Sequence, residues 1–267
     1  GKRQMAPSPC LPRCTPIWAA KHGFWRMARL ANSGLNPTTL RAAVTLVLVL
    51  AFAGAPLLTA PFTGFDPATL PYDVSTPPVQ PAGYAFAIWG VIYLWLIASA
   101  GYGLWRHANN PNWDAMRWPL IVSAGIGAIW IEVALRSPIW ATILIFVMLI
   151  TAVLACLRAP ISPTSWARAP LGLYAGWLSA AGFVALATTL TGFGIMPREI
   201  AGWAGLLGAL ATASALTTRL RVITYPIAVI WALVGVIVSQ WQSDPSLSLA
   251  AVGGIAALAY QGIRARV

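Results

Sequence analysis

Phe86, Trp89 and Tyr93 follow an i, i+3, i+7 spacing, so on a helix their three rings project from one face. Rings placed this way line a flat apolar cavity, where a planar ligand gains from stacking and area burial together. Other chemistry is scarce. Glu132 is the acidic residue that falls within an apolar segment, where an ionised carboxylate is costly enough to be a functional candidate. Arg136 lies four residues on, however, and a local i, i+4 ion pair is the preferred reading of the two. Cys10 and Cys14 are spaced like half a metal site, but with His22 as their only companion and no second Cys/His pair, no metal site is expected. His107 reads as a solvated or headgroup contact. No nucleophile, acid/base pair, phosphate loop or dinucleotide glycine fingerprint has convincing spacing, so the expected activity is binding without catalysis and without a required cofactor.

The elements that must position these rings are membrane helices. With 58% hydrophobic and only 9% charged residues, the chain cannot cover a water-soluble domain, which is ordinarily about 25% charged. Eight apolar spans are predicted, at 40–60, 83–105, 117–135, 139–157, 169–191, 199–218, 222–240 and 246–263. Each is long enough to cross a hydrocarbon core of about 30 Å as a helix, and none shows the alternation of a barrel strand. The fold class is therefore all-α, a polytopic bundle of about eight transmembrane helices. The +11 net charge follows from topology rather than from a nucleic-acid surface. Of the 17 lysines and arginines, only Arg136 and Arg198 fall on one side of the predicted membrane. The others flank the opposite side, which places both termini in the cytoplasm and the chain in a membrane of the bacterial inner type.

Residues 1–38 read as a cytoplasmic arm, disordered in part, within which Met27-Ala-Arg-Leu-Ala is the more natural start of a membrane protein. The connection from Pro61 to Pro81 carries six prolines with Asp66 and Asp73, and is expected to be extended, non-cytoplasmic and suited to a lid. Ser123 to Ala128 and the Gly202, Gly205, Gly208 series allow close helix approach, within the chain rather than between chains. Trp105, Trp113, Trp118, Trp140, Trp166, Trp203 and Trp241 sit at span boundaries, as an interfacial belt requires. Trp89, Trp130, Trp177 and Trp231 lie deeper.

The stretch from Pro77 through Tyr93 resembles the signature of the TspO/translocator protein family, the tryptophan-rich sensory proteins, in which a proline-rich loop leads into Phe-x-x-(Val/Ile)-Trp-x-x-(Leu/Ile)-Tyr. Pro77, Pro78, Phe86, Ile88, Trp89, Ile92 and Tyr93 match it. Leu173-Tyr174-Ala175-Gly176-Trp177 is similar to the family's Pro-Tyr-x-x-Trp block, and Val122 to Trp130 to its helix with a central tryptophan. The resemblance covers 40–191, giving a TspO-like core at 39–191 and a three-helix extension at 192–267. Where relatives carry asparagines in helices three and five, this chain has Ser123 to Gly125 and Ala185 to Thr189. The resemblance implies a five-helix bundle binding a porphyrin, other tetrapyrrole, sterol or similar planar ligand beneath the first loop, commonly as a homodimer, with a sensing role. Its pocket would consist of Phe86, Trp89, Tyr93, Trp130, Tyr174 and Trp177. The lipid bilayer and a hydrophobic small molecule are the expected partners. A small-molecule transporter, or a subunit docked in a larger membrane complex, are the competing functions.

Overall fold

The computed structural model describes residues 36–264 apart from 61, 63, 73, 75 and 76. Residues 1–35 of the arm, with its Cys10, Cys14 and His22 half-site, and Pro61, Asp73 and Arg266 lie outside the described residues, while Pro37 and Thr38 of the expected arm belong to the first helix. Among the described residues eight α-helices follow in order: α1 Pro37–Leu58, α2 Ile88–His107, α3 Pro111–Ala134, α4 Pro138–Arg158, α5 Arg168–Gly192, α6 Arg198–Leu220, α7 Thr224–Gln240 and α8 Pro245–Arg264. Seven of them, counting the 3₁₀ turn Gly83–Ala87 as the entry to α2, are long and apolar enough to cross a membrane. The chain is an integral membrane protein. α7, at 17 residues, spans only about 25 Å. It is shorter than its predicted span because Arg221 ends α6 in a left-handed conformation, φ 50°, and the chain needs two more residues to turn back.

Helix starts follow local chemistry. Pro37, Pro111 and Pro138 each open a helix where no amide donor is needed, and the side chains of Asn110 and Ser137 cap the amides of Asn112 and Trp140. Pro56 stands two residues before the end of α1, as its missing N–H dictates.

The helices form two rings that share one member. α1 packs between α2 and α3, α3 against α4, α4 against α5, and α5 closes the circle on α2. α5 also packs on α6 and α7, and α8 bridges those two from the far side. The shared position explains the burial of α5: 78% of its apolar stretch is covered, against 28–44% for the other six long helices. Close approach is needed here. A Cβ on Gly176 would lie 2.3 Å from the Tyr225 carbonyl oxygen, so glycine lets α5 and α7 touch through their backbones. Gly205 and Gly208 likewise receive the Ala187 and Phe183 side of α5, which makes the α6 glycine series an intramolecular contact.

Two expectations are corrected at the end of the bundle that the charge count assigns to the cytoplasm. Trp113 is only 1% exposed, not part of a belt: it stacks on His107 at 4.7 Å and 5°, and His107 is thereby half-buried rather than solvated. α3 also begins six residues earlier than its predicted span, and the added turns carry Asp114 and lead into Arg117. Arg117, 2% exposed, donates to the carbonyls of Gly103, His107 and Ala108 at the end of α2 and of Thr38 in α1. Asp114 bridges it to Arg41. Trp105, Trp140 and Trp241 are exposed at helix ends, as a belt requires, and Trp118 is exposed two turns into α3. At the opposite end, Glu132 and Arg136 form the exposed i, i+4 ion pair preferred from their spacing.

Candidate functional site

The 3₁₀ turn Gly83–Ala87 carries Phe86 and delivers the chain into α2, whose first two turns carry Trp89 and Tyr93. Trp89 and Tyr93 stack at 5.2 Å and 18°, making one flat wall. α5 supplies Trp177, edge-on to both Phe86 at 5.7 Å and Trp89 at 6.1 Å. α3 supplies Trp130, whose indole Nε1 donates to the Ala141 carbonyl oxygen of α4 at 2.9 Å and so fixes the ring. These five side chains line one cavity of about 260 Å³. The first loop covers it: Phe62, Phe65, Gln80 and Pro81 face the same space, and Phe62 meets Trp130 edge-on at 5.2 Å.

Tyr174, the sixth residue expected at the pocket, stands behind the wall. It is fully buried, and its hydroxyl donates to Ser123 Oγ at 2.9 Å, while Ser123 donates to the Met148 carbonyl oxygen at 2.9 Å. That chain of bonds turns the Tyr174 ring against the backs of Phe52 and Trp89. Ser123 thus makes a polar link among α3, α4 and α5 in the region, Ser123 to Gly125, where the resembled family carries an asparagine. Thr142 and Thr189 make a second link between α4 and α5 at 2.8 Å.

Phe52, Phe62 and Gly127 belong to the site and were not singled out from the sequence. Phe52 lies in a long aliphatic run, and nothing in its spacing separates it from core. It reaches the cavity because Gly127 has no side chain; a Cβ there would sit 2.6 Å from the Phe52 ring. The Gly127 signal was visible only as helix packing.

The loop is more structured than its prolines implied. Asp66 caps a single 3₁₀ turn, Pro67–Thr69, through the Ala68 amide, and the Tyr72 amide donates to the Gly192 carbonyl oxygen at the end of α5. Its second half is pinned to α7. The Ala82 amide donates to the Gly235 carbonyl oxygen at 2.9 Å, Ser239 Oγ to the Gln80 carbonyl oxygen at 2.6 Å, and Trp231 Nε1 to the Ala85 carbonyl oxygen at 2.8 Å. Trp231 therefore secures the entry to α2 instead of lining the pocket.

One buried polar group in the wall of this apolar space has no partner among the described residues. Trp177 is 2% exposed, and its Nε1 makes no hydrogen bond among the described residues. Leaving a buried N–H unpaired costs about 1–3 kcal/mol. A ligand with an acceptor oxygen or nitrogen would recover that cost. No group of three or more His, Cys, Asp or Glu side chains fit to hold a metal occurs among the described residues.

A closed five-helix ring with an aromatic cavity under its first loop, embedded in a larger membrane bundle, defines the class of protein. Among known families the chain matches the TSPO-like protein family over residues 40–263, and it belongs to that family. The match takes in all eight helices, so it extends past the 40–191 region of the sequence resemblance into α6, α7 and α8. No curated protein and no solved structure matches the chain.

Proposed function

We propose that this TSPO-like membrane protein is a receptor for a planar hydrophobic ligand of the tetrapyrrole class, held in the aromatic cavity, with a sensing or regulatory role. The supporting observation is a cavity walled by Phe86, Trp89, Tyr93, Trp130, Phe62 and Trp177, with the unpaired N–H of Trp177 buried in its wall. Such a space rewards a flat apolar ring system that presents one hydrogen-bond acceptor toward α5. Size refines the fit. At about 260 Å³ the cavity is just below the roughly 300–1,000 Å³ of ordinary ligand sites, so a full tetrapyrrole seats one edge against Trp177 and displaces the Phe62 and Phe65 part of the loop. Smaller two- or three-ring ligands enter without that movement. The ordered loop, tied to both α5 and α7, then passes occupancy to the outer surface where a second copy or another membrane subunit would read it.

The arginine distribution supports an orientation with both termini in the cytoplasm and the loop on the opposite face, in a bacterial inner membrane. Purification in mild detergent, followed by an absorption spectrum and mass spectrometry of the organic extract, tests the function. A tetrapyrrole or another planar polycycle at near-stoichiometric level is the expected result. A protein that extracts only lipid, and that takes up neither a porphyrin nor a smaller polycycle when these are added, contradicts it.

A further inference from the structure

The helix ends that the charge count gathers on one side carry a charge the fold leaves unanswered. Among the described residues Asp114 is the one carboxylate at these ends, and Arg41 and Arg117 occupy it. Asp66, Glu132, Glu199 and Asp244 all lie at the opposite ends of the helices. Arg219 in the last turn of α6, Arg221 in the α6–α7 turn and Arg264 in the last turn of α8 therefore have no carboxylate to pair with at this end, and all three are exposed. Folding brings them to one corner. A Cβ on Gly262 would lie 3.2 Å from Ile223 Cδ1 and 3.3 Å from Pro226 Cγ, so the last turn of α8 rests on the start of α7, just past Arg221.

Membrane orientation asks only for positive charge on this side, wherever it falls. The placement here is more specific. Arg221 is the one non-glycine residue with a positive φ among the described residues, φ 50° and ψ 39°, just past a helix end where glycine is the usual residue. Glycine would take that turn without strain, yet an exposed arginine stands there. The Arg264 guanidinium lies over the Tyr260 ring, 4.7 Å from its centroid. The neighbouring surface is apolar and uncovered: Ile227 in the first turn of α7 and Tyr260 and Ile263 in the last turn of α8 are all exposed. A ligand for this corner needs an anionic head for the arginines and hydrocarbon for the helix flanks beside them. A soluble anion answers only the first.

We propose that this corner binds an anionic phospholipid, its phosphate held by Arg219, Arg221 and Arg264 and its acyl chains lying along α7 and α8. Arginine suits the role, since its planar fork matches a phosphate. Each basic side chain at a membrane surface strengthens the attraction to anionic lipid by roughly fivefold. Occupancy ties together the ends of α6, α7 and α8.

The test uses the full chain in mild detergent, stripped of lipid. Phosphatidylglycerol and phosphatidylethanolamine with the same acyl chains are compared by native mass spectrometry. Phosphatidylglycerol is expected to be retained at least tenfold better. Arg219→Gln combined with Arg264→Gln should cut that retention at least tenfold. Arg221→Gly should cut it about fivefold, with a melting temperature no lower than that of the wild type, because glycine keeps the turn. Arg106→Gln is the control. Arg106 also ends a helix, α2 in the other ring, with its guanidinium 4.1 Å from the Trp105 ring centroid, and its loss should leave retention unchanged. Equal retention of the two lipids, an equal loss in Arg106→Gln and Arg221→Gly, or displacement of the lipid by equimolar glycerol phosphate or polyglutamate overturns the proposal.

Discussion

Arg117 shows how one buried cation can organise a helix end. Its guanidinium donates to four backbone carbonyls, three at the end of α2 and one at the start of α1, and Asp114 balances its charge. Arg117→Ala is expected to cost about 3–5 kcal/mol, because it removes a buried cation together with its bonds to Asp114 and to the ends of two neighbouring helices. Thermal unfolding in detergent measures this, and Arg117→Lys should recover little, since an ammonium lacks the planar fork. At the other face, Asp244 caps α8 through the Leu247 amide. Its folded-state pKa is depressed by the Ser246 and Leu247 bonds, so its stabilisation is present above the unfolded value of about 4 and lost as pH falls through the folded one. Asp244→Ala should therefore cost about 1 kcal/mol at neutral pH. That difference should shrink in melts run at progressively lower pH. Trp177→Phe isolates a third residue effect: it keeps the ring and removes the N–H, and should weaken an acceptor-bearing ligand by about 1 kcal/mol, roughly fivefold, while leaving a pure hydrocarbon unaffected.

At the scale of elements, the shape of the pocket depends on a side chain that is absent. Gly127 admits the Phe52 ring beside Trp89 and Tyr93. Gly127→Leu should push Phe52 into the cavity and abolish ligand binding with little loss of helicity by circular dichroism. All eight helices were legible from hydropathy and charge, because a membrane leaves the chain few alternatives to apolar helices of fixed length. Phe86, Trp89 and Tyr93 were legible for a similar reason, since helical spacing alone puts them on one face. What the sequence hid came from contacts between distant elements. Trp113 lies at a helix end like the exposed tryptophans, and only its stacking on His107 takes it inside. Tyr174 has the right type and position for the cavity, and the hydroxyl of Ser123, 51 residues away, turns it aside. The two sites also differ in legibility: the aromatic one announces itself in one helix, whereas Arg219, Arg221 and Arg264 come to one corner only through the packing of α8 on the start of α7.

For the whole molecule, the last three helices complete the ligand cavity although they line none of it. α7 holds the second half of the first loop through Gly235, Ser239 and Trp231, and α5 serves both rings. A chain ended after Gly192 should lose the cover of the pocket and expose the Ser179 hydroxyl that now bonds Tyr225 at 2.8 Å. Such a chain is expected to bind ligand at least tenfold more weakly than the full protein, in a titration of both under one detergent. Titration of the purified full chain with a free-base porphyrin, followed by tryptophan fluorescence, tests ligand binding in the aromatic cavity most directly. Saturable quenching that weakens at least tenfold in both Trp89→Ala and Trp177→Ala is the expected result; quenching that does not saturate, or that both variants retain in full, would contradict it.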